Sequence, residues 1–257
     1  MIHLLLKLPI LKRLIPSLAI RILKIIKKNR GYFKIKNFKM FLDFLDPIDR
    51  EIILFQEFEK LEIDYLIKQM SKMNPHYFLD IGSNCGYYSI SIANKFPNIQ
   101  IFSFEPNQEA YLKFNKTLKA NTLLAKKIKS YNFGLSDSNA KLKIKSLIKH
   151  GYVQTGGSSI NRNYKKGSFQ ESLENFKIAD EFLKIKHSII ILKIDVEGHE
   201  FEILKGLQKI VKLNKCMIQI EIFDKYFFKV NNFLSSLGFI TTHKIKKRSN
   251  YFYKNFI

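Results

Sequence analysis

Two short runs constrain this chain more than anything else in it. Phe78-Leu79-Asp80-Ile81-Gly82-Ser83-Asn84-Cys85-Gly86 and Leu192-Lys193-Ile194-Asp195-Val196-Glu197-Gly198-His199-Glu200 follow one plan: an apolar strand closes on a carboxylate, and the chain then turns through glycine into a helix. In an open α/β sheet, ligands lie beyond the carboxyl ends of the strands, where the strand order reverses, so residues placed this way are the ones that meet a ligand. Residues 99–104 read as another short strand, ending at Glu105, 19 residues past Gly86. A ribose-binding acid is expected at about 20 residues from such a glycine turn.

The glycine spacing narrows the ligand. A dinucleotide loop needs G-x-G-x-x-G so that backbone can approach a pyrophosphate, whereas this loop has only Gly82 and Gly86, with Asn84 and Cys85 between them. S-adenosylmethionine carries a ribose but no phosphate, and its sulfonium and amino group suit a pocket holding Asp80 and Glu105. The expected site is therefore one for a methyl donor.

The run 80–89, Phe104-Glu105-Pro106-Asn107, Gly134-Leu135-Ser136-Asp137, residues 191–206 and residues 218–221 occur in this order. Together they resemble the FkbM family of S-adenosylmethionine-dependent methyltransferases over residues 76–223, most specifically at residues 193–200. His199 departs from the family, which more often has a small residue there. The resemblance implies a Rossmann-like class I methyltransferase fold, with a mostly parallel, doubly wound sheet and an antiparallel C-terminal edge. It also implies that Asp80, Gly82 and Gly86 shape the cofactor loop, that Glu105 bonds the ribose hydroxyls, and that the acceptor is a hydroxyl on a sugar or other small biosynthetic intermediate.

The remaining candidates are read residue by residue. Asn84 is placed to bond the methionine moiety, and Asp137 to bond the adenine amine, although a turn-forming role fits Asp137 equally well. Asp195 closes a central strand and should project into the cleft. Glu197 and His199 follow it, His199 as a candidate general base or, alternatively, an ordinary surface histidine on a helix. Glu221 closes the next strand, so Asp195 and Glu221 could share a divalent ion that acidifies a hydroxyl. For Asp80 and Glu105 the competing reading is helix capping.

Composition bounds the partners. The chain of 257 residues has a net charge of +22, which would fit nucleic acid or an anionic membrane. The basic residues are nearly all lysine amid abundant Ile, Asn and Phe with no Trp, a bias that an AT-rich genome produces unselected, so nucleic acid is disfavoured as a partner. RNA methylation and a non-enzymatic, basic membrane-surface protein stand as alternatives. The two cysteines, Cys85 and Cys216, supply neither a metal spacing nor a disulfide framework. No uninterrupted apolar stretch reaches the roughly 18 residues of a membrane span, and the expected location is the cytoplasm, with a peripheral hold at the inner membrane face.

Three regions are expected. Residues 1–30 form a basic amphipathic helical segment suited to an anionic membrane or to packing on its own domain. Residues 31–75 form a ribbon and helical lead-in, and residues 76–257 the cofactor-binding domain. Strands are expected at 77–81, 99–104, 128–133, 189–194 and 216–223, helices at 86–95, 107–120 and 199–213, and two terminal strands near 239–244 and 250–253. An insert of about 50 residues holds one extra strand at 141–145 and a polar, glycine-rich loop, 150–167, expected to cover the substrate.

Overall fold

The computed structural model describes residues 29–149, 152–160 and 168–256. Apart from Asn29 and Arg30, the basic segment 1–30 lies outside the described residues, as do parts of the expected covering loop.

A seven-stranded sheet forms the centre. Its strands are β3 (Tyr77–Ile81), β4 (Gln100–Phe104), β5 (Ile128–Tyr131), β10 (Ile189–Ile194), β11 (Lys215–Glu221), β12 (Ile240–Lys244) and β13 (Asn250–Lys254), in the spatial order β12-β13-β11-β10-β3-β4-β5. The five strands from β11 to β5 pair in parallel, β13 pairs antiparallel with β11, and β12 pairs antiparallel with β13. Strands buried on both faces read as continuous apolar runs, which is why Ile189–Ile194 is isoleucine and leucine throughout except for Lys193. From β3 the chain moves outward to β4 and β5, then returns to β10 on the other side. The order therefore reverses between β3 and β10, at the two glycine turns.

Helices cover both faces. On one face Ile203, Leu204, Val211, Val230 and Leu234 pack on Leu79, Ile81, Leu192, Ile194 and Ile220. They belong to α5 (Glu200–Gly206), α6 (Gln208–Leu213) and α7 (Phe227–Ser236). The single helix expected over 199–213 is thus two, with Leu207 between them. On the other face Ile90 and Ala93 of α3 (Tyr87–Lys95) pack on Phe78, Ile101, Ile191 and Phe252. Phe114 of α4 (Gln108–Lys119) joins the same cluster.

The lead-in contributes to that second core. The ribbon pairs β1 (Arg30–Ile35) antiparallel with β2 (Phe38–Asp43), followed by α1 (Pro47–Phe55) and α2 (Lys60–Met73). Ile35, Met40, Leu42, Ile52, Leu66 and Met70 are fully buried in the same cluster as the sheet residues, so the lead-in shares a core with the domain that follows.

The insert forms a second sheet. Its order is β6-β9-β7-β8, from β6 (Gly134–Leu135), β7 (Ala140–Lys149), β8 (Tyr152–Val153) and β9 (Ser168–Lys177). The expected strand at 141–145 is thus the middle of a longer one, paired along its length with β9.

Candidate active site

The first glycine turn is forced by close packing. Gly82 has φ +79°, and a Cβ there would lie 2.0 Å from the Asp195 carbonyl oxygen. Gly86 has φ +81°, and a Cβ there would enter the Phe114 ring. Only glycine meets both demands at either position, so the loop lies flush against the strand end that carries Asp195.

Two acids hold this loop in different ways. Asp80 is fully buried and accepts from the Ser89 amide at 3.1 Å and the Ser89 hydroxyl at 2.5 Å. It thus fixes the start of α3 from beneath and does not line the cavity, so the capping role accounts for its contacts. Glu105 does line it. Its two oxygens accept the Asn84 amide at 2.8 Å and the Asn107 amide at 2.9 Å. Each keeps a further lone pair for a ligand hydroxyl. Burial pushes the Glu105 carboxyl up to about 7 against these two amides.

The cavity extends from this loop to the second turn and is roofed by the insert. Gly82, Ser83, Asn84, Glu105, Leu135, Lys193, Asp195, Glu197 and His199 line its walls, while Thr155, Gly156, Ser158 and Phe176 close it from the insert. Ser83 Oγ is buried with no hydrogen-bond partner among the described residues. An orphaned hydroxyl beside the Glu105 carboxylate is what a nucleoside ligand would satisfy.

The second turn carries Asp195, Glu197 and His199. Asp195 lies at the end of β10 and is partly exposed, with Lys193 Nζ 3.1 Å from its Oδ2. Lys193 is buried, and its Nζ also donates to the Gly82 carbonyl at 3.2 Å. Glu197 takes φ +56°, and its carbonyl accepts from Ser159 Oγ at 2.6 Å. His199 is buried rather than on the helix surface, its Nε2 2.9 Å from Ser136 Oγ and its ring edge-on to Phe176. Burial lowers its pKa, only partly opposed by Glu202 and Asp137.

One expectation needs correction, and one alternative gains no support. Asp137 does not line the cavity: its carboxylate pairs with Lys205 on α5, which draws it outward, while Gly134 and Leu135 line the wall instead. Asp195 and Glu221 gain no third metal ligand, since no group of three or more His, Cys, Asp or Glu residues suited to a metal occurs among the described residues. A lysine ammonium stands against Asp195 instead.

Reading the sequence missed the anchoring of the roof. Thr155 donates its amide at 3.2 Å and its hydroxyl at 2.8 Å to Asp46 Oδ2, across 109 residues of chain. Asp46 also caps α1. Behind it, buried Lys113 pairs with Asp49 at 2.7 Å and with Asp46 at 3.6 Å. The Thr155 hydroxyl is also 3.0 Å from the Asn84 side-chain oxygen, an acceptor, which joins the roof to the Gly82 loop.

Comparison with known proteins gives the family. The model of the methyltransferase FkbM domain matches residues 80–241. Methyltransferase sdnD of Sordaria araneosa is 23% identical over 197 residues, covering 63% of this chain and 75% of that protein. Methyltransferase 1 of Beauveria bassiana (strain ARSEF 2860) is 21% identical over 177 residues, covering 58% and 68%. Among solved structures, methyltransferase FkbM from Methylobacillus flagellatus KT aligns with a TM-score of 0.49 at 14% identity over 70% of this chain and 44% of that one, so this chain spans less than half its length. Among the described residues no helix is long and apolar enough to cross a membrane. With the family model covering more than half the chain, from the acid beneath the glycine loop to the antiparallel edge, this protein belongs to the FkbM methyltransferases and is an S-adenosylmethionine-dependent methyltransferase.

Proposed function

We propose that the enzyme methylates a hydroxyl of a neutral acceptor, a sugar or another small biosynthetic intermediate, with Asp195 receiving the hydroxyl proton. The supporting observation is the placement of Asp195, a partly exposed carboxylate at the end of the central strand, lining the cavity and steadied by Lys193.

Bound S-adenosylmethionine supplies a methyl group on a sulfonium, whose sulfur leaves as a neutral thioether without needing a proton. The chain's own work is therefore alignment and proton removal. Glu105 and the Gly82 loop orient the donor; the Thr155–Gly157 turn excludes water. The acceptor oxygen passes its proton to the Asp195 carboxylate as the oxygen lone pair forms the new C–O bond. His199, held by Ser136 and packed on Phe176, supports the wall rather than acting as the base.

Charge at the cavity weighs against RNA. Despite the net charge of +22, Lys193 is the one cation lining the cavity among the described residues, against Glu105, Asp195 and Glu197. A phosphate chain entering there would meet like charge.

Labelled donor incubated with cell extract fractionated into glycan, lipid and RNA tests the reading. Label should enter the glycan or small-molecule fraction, and Asp195→Asn should abolish most of it while keeping cofactor affinity. Transfer confined to RNA, or full transfer by Asp195→Asn, would overturn it.

A further inference from the structure

The insert sheet has two unlike faces. Side chains alternate between the faces of a strand, and on β7 and β9 the face toward the body of the protein carries Ile144 and Phe176, which are buried and line the cavity. Farther along that face, Ser146, Gln170, Ser172 and Glu174 border a second cavity against α4. The outward face differs. Register sets Lys141 opposite Asn175, Lys143 opposite Leu173, Lys145 opposite Glu171 and Leu147 opposite Phe169.

A sheet with one face on a core and one in water ordinarily places apolar side chains inward and polar ones outward. Over residues 169–174 β9 does the reverse. Phe169 and Leu173 point outward, 40% and 62% exposed, while Gln170, Ser172 and Glu174 point inward. At that exposure, packing within the chain does not account for Leu173. Lysines surround the two apolar side chains: Lys143 and Lys145 reach Glu171 at 3.0 and 3.3 Å, Lys145 Nζ lies 5.1 Å over the Phe169 ring, and Lys141 is exposed. One carboxylate against three ammonium groups leaves the face positive. A single exposed leucine is ordinary. Apolar side chains set among lysines on one face are what an anionic bilayer accepts, with the ammonium groups on its headgroups and the apolar groups at the acyl boundary. Nucleic acid would use the lysines on its phosphates and leave Leu173 in water.

We propose that the outward face of β7 and β9 is the surface by which the enzyme rests on an anionic bilayer. Charge complementarity supplies the attraction, and Phe169 and Leu173 supply the hold. The proposal depends neither on Asp195 nor on the acceptor hydroxyl. It sets the bilayer on the far side of the roof, because the strands that face the lipid carry Ile144 and Phe176 on the cavity.

The chain has no Trp, so one introduced tryptophan reports its own surroundings. Emission of Leu173→Trp should shift to the blue on adding vesicles of phosphatidylcholine with phosphatidylglycerol, and should stay in place with phosphatidylcholine alone. Leu123→Trp is the control: Leu123 is 74% exposed and precedes β5, at the amino ends of the parallel strands, and its variant should shift with neither vesicle. Replacing Lys141 and Lys143 together by Gln should weaken sedimentation with the anionic vesicles about tenfold or more at low salt, with the melting temperature unchanged. Added salt should weaken wild-type binding more than that of the double variant. Binding to anionic vesicles without a blue shift in Leu173→Trp, an equal shift in Leu123→Trp, unchanged binding by the lysine variant, or no binding at all would overturn the proposal. So would binding of RNA in place of vesicles, or a shift of Leu173→Trp that appears with rising protein concentration alone, which would assign the face to a second copy of the chain.

Discussion

Glu105 shapes its loop and is proposed to address the donor as well. Both of its oxygens are engaged by backbone amides, yet the residue lines the cavity with acceptor capacity to spare. Its raised pKa, about 7, makes donor binding sensitive to pH in the neutral range. On the proposed reading, in which ribose hydroxyls donate to the ionised carboxylate, protonation would remove acceptor strength, so affinity should fall as pH drops through 7. Calorimetry of S-adenosylhomocysteine at pH values on either side of 7 checks this; a Glu105→Gln variant should lose that dependence, and an unchanged slope in the variant would assign the titration elsewhere. The residue scale was only partly legible in the sequence. Glu105 stood out by its distance from Gly86, but the exclusion of Asp137 depends on Lys205, 68 residues away, and no local pattern records that pairing.

At the scale of elements, the roof is the least expected feature. The turn Thr155–Gly157 is held by Asp46, itself the cap of α1, and by Asn84 of the cofactor loop. Replacing Thr155 by Val removes the hydroxyl while keeping shape and the amide bond, and should cost about 1 kcal/mol of stability. It should also speed release of bound S-adenosylhomocysteine in stopped flow, since the turn covers the cavity. An unchanged release rate would mean the turn does not gate the site. The parallel strands were plain in the sequence because burial on both faces leaves continuous apolar runs. The strand β9 was not, because only Phe176 of its ten residues is buried and the rest are polar or exposed, so no alternation survives. The Asp46–Lys113–Asp49 group was invisible for a related reason: Lys113 lies on a helix rich in polar residues, and its burial comes from elements far away in the chain.

Across the whole molecule several acids are buried. Burial raises Glu105 and Glu200 to about 7 and Asp49 to about 6, and raises Glu59 and Glu221 as well. A carboxyl whose folded pKa lies above its unfolded value binds protons more tightly when folded. Its contribution is fully present below the unfolded pKa and is lost as pH rises through the folded one. His199, lowered by burial, acts in the opposite direction, but it is one group against several. The ligand-free protein should therefore show a melting temperature that falls between about pH 5.5 and pH 8.5. Scanning calorimetry across that range checks it, and a rising melting temperature would mean these acids are not buried as described.

The central claim is that the cavity at the strand reversal is the donor site, with Glu105 on the ribose. Calorimetric titration of S-adenosylhomocysteine into the wild-type chain, Glu105→Ala and Asp137→Ala tests it most directly. The account predicts one site per chain, a loss in Glu105→Ala of roughly 1.5–3 kcal/mol, or about one to two powers of ten in affinity, and wild-type affinity in Asp137→Ala. No binding by the wild-type chain, or equal binding by Glu105→Ala, would contradict it.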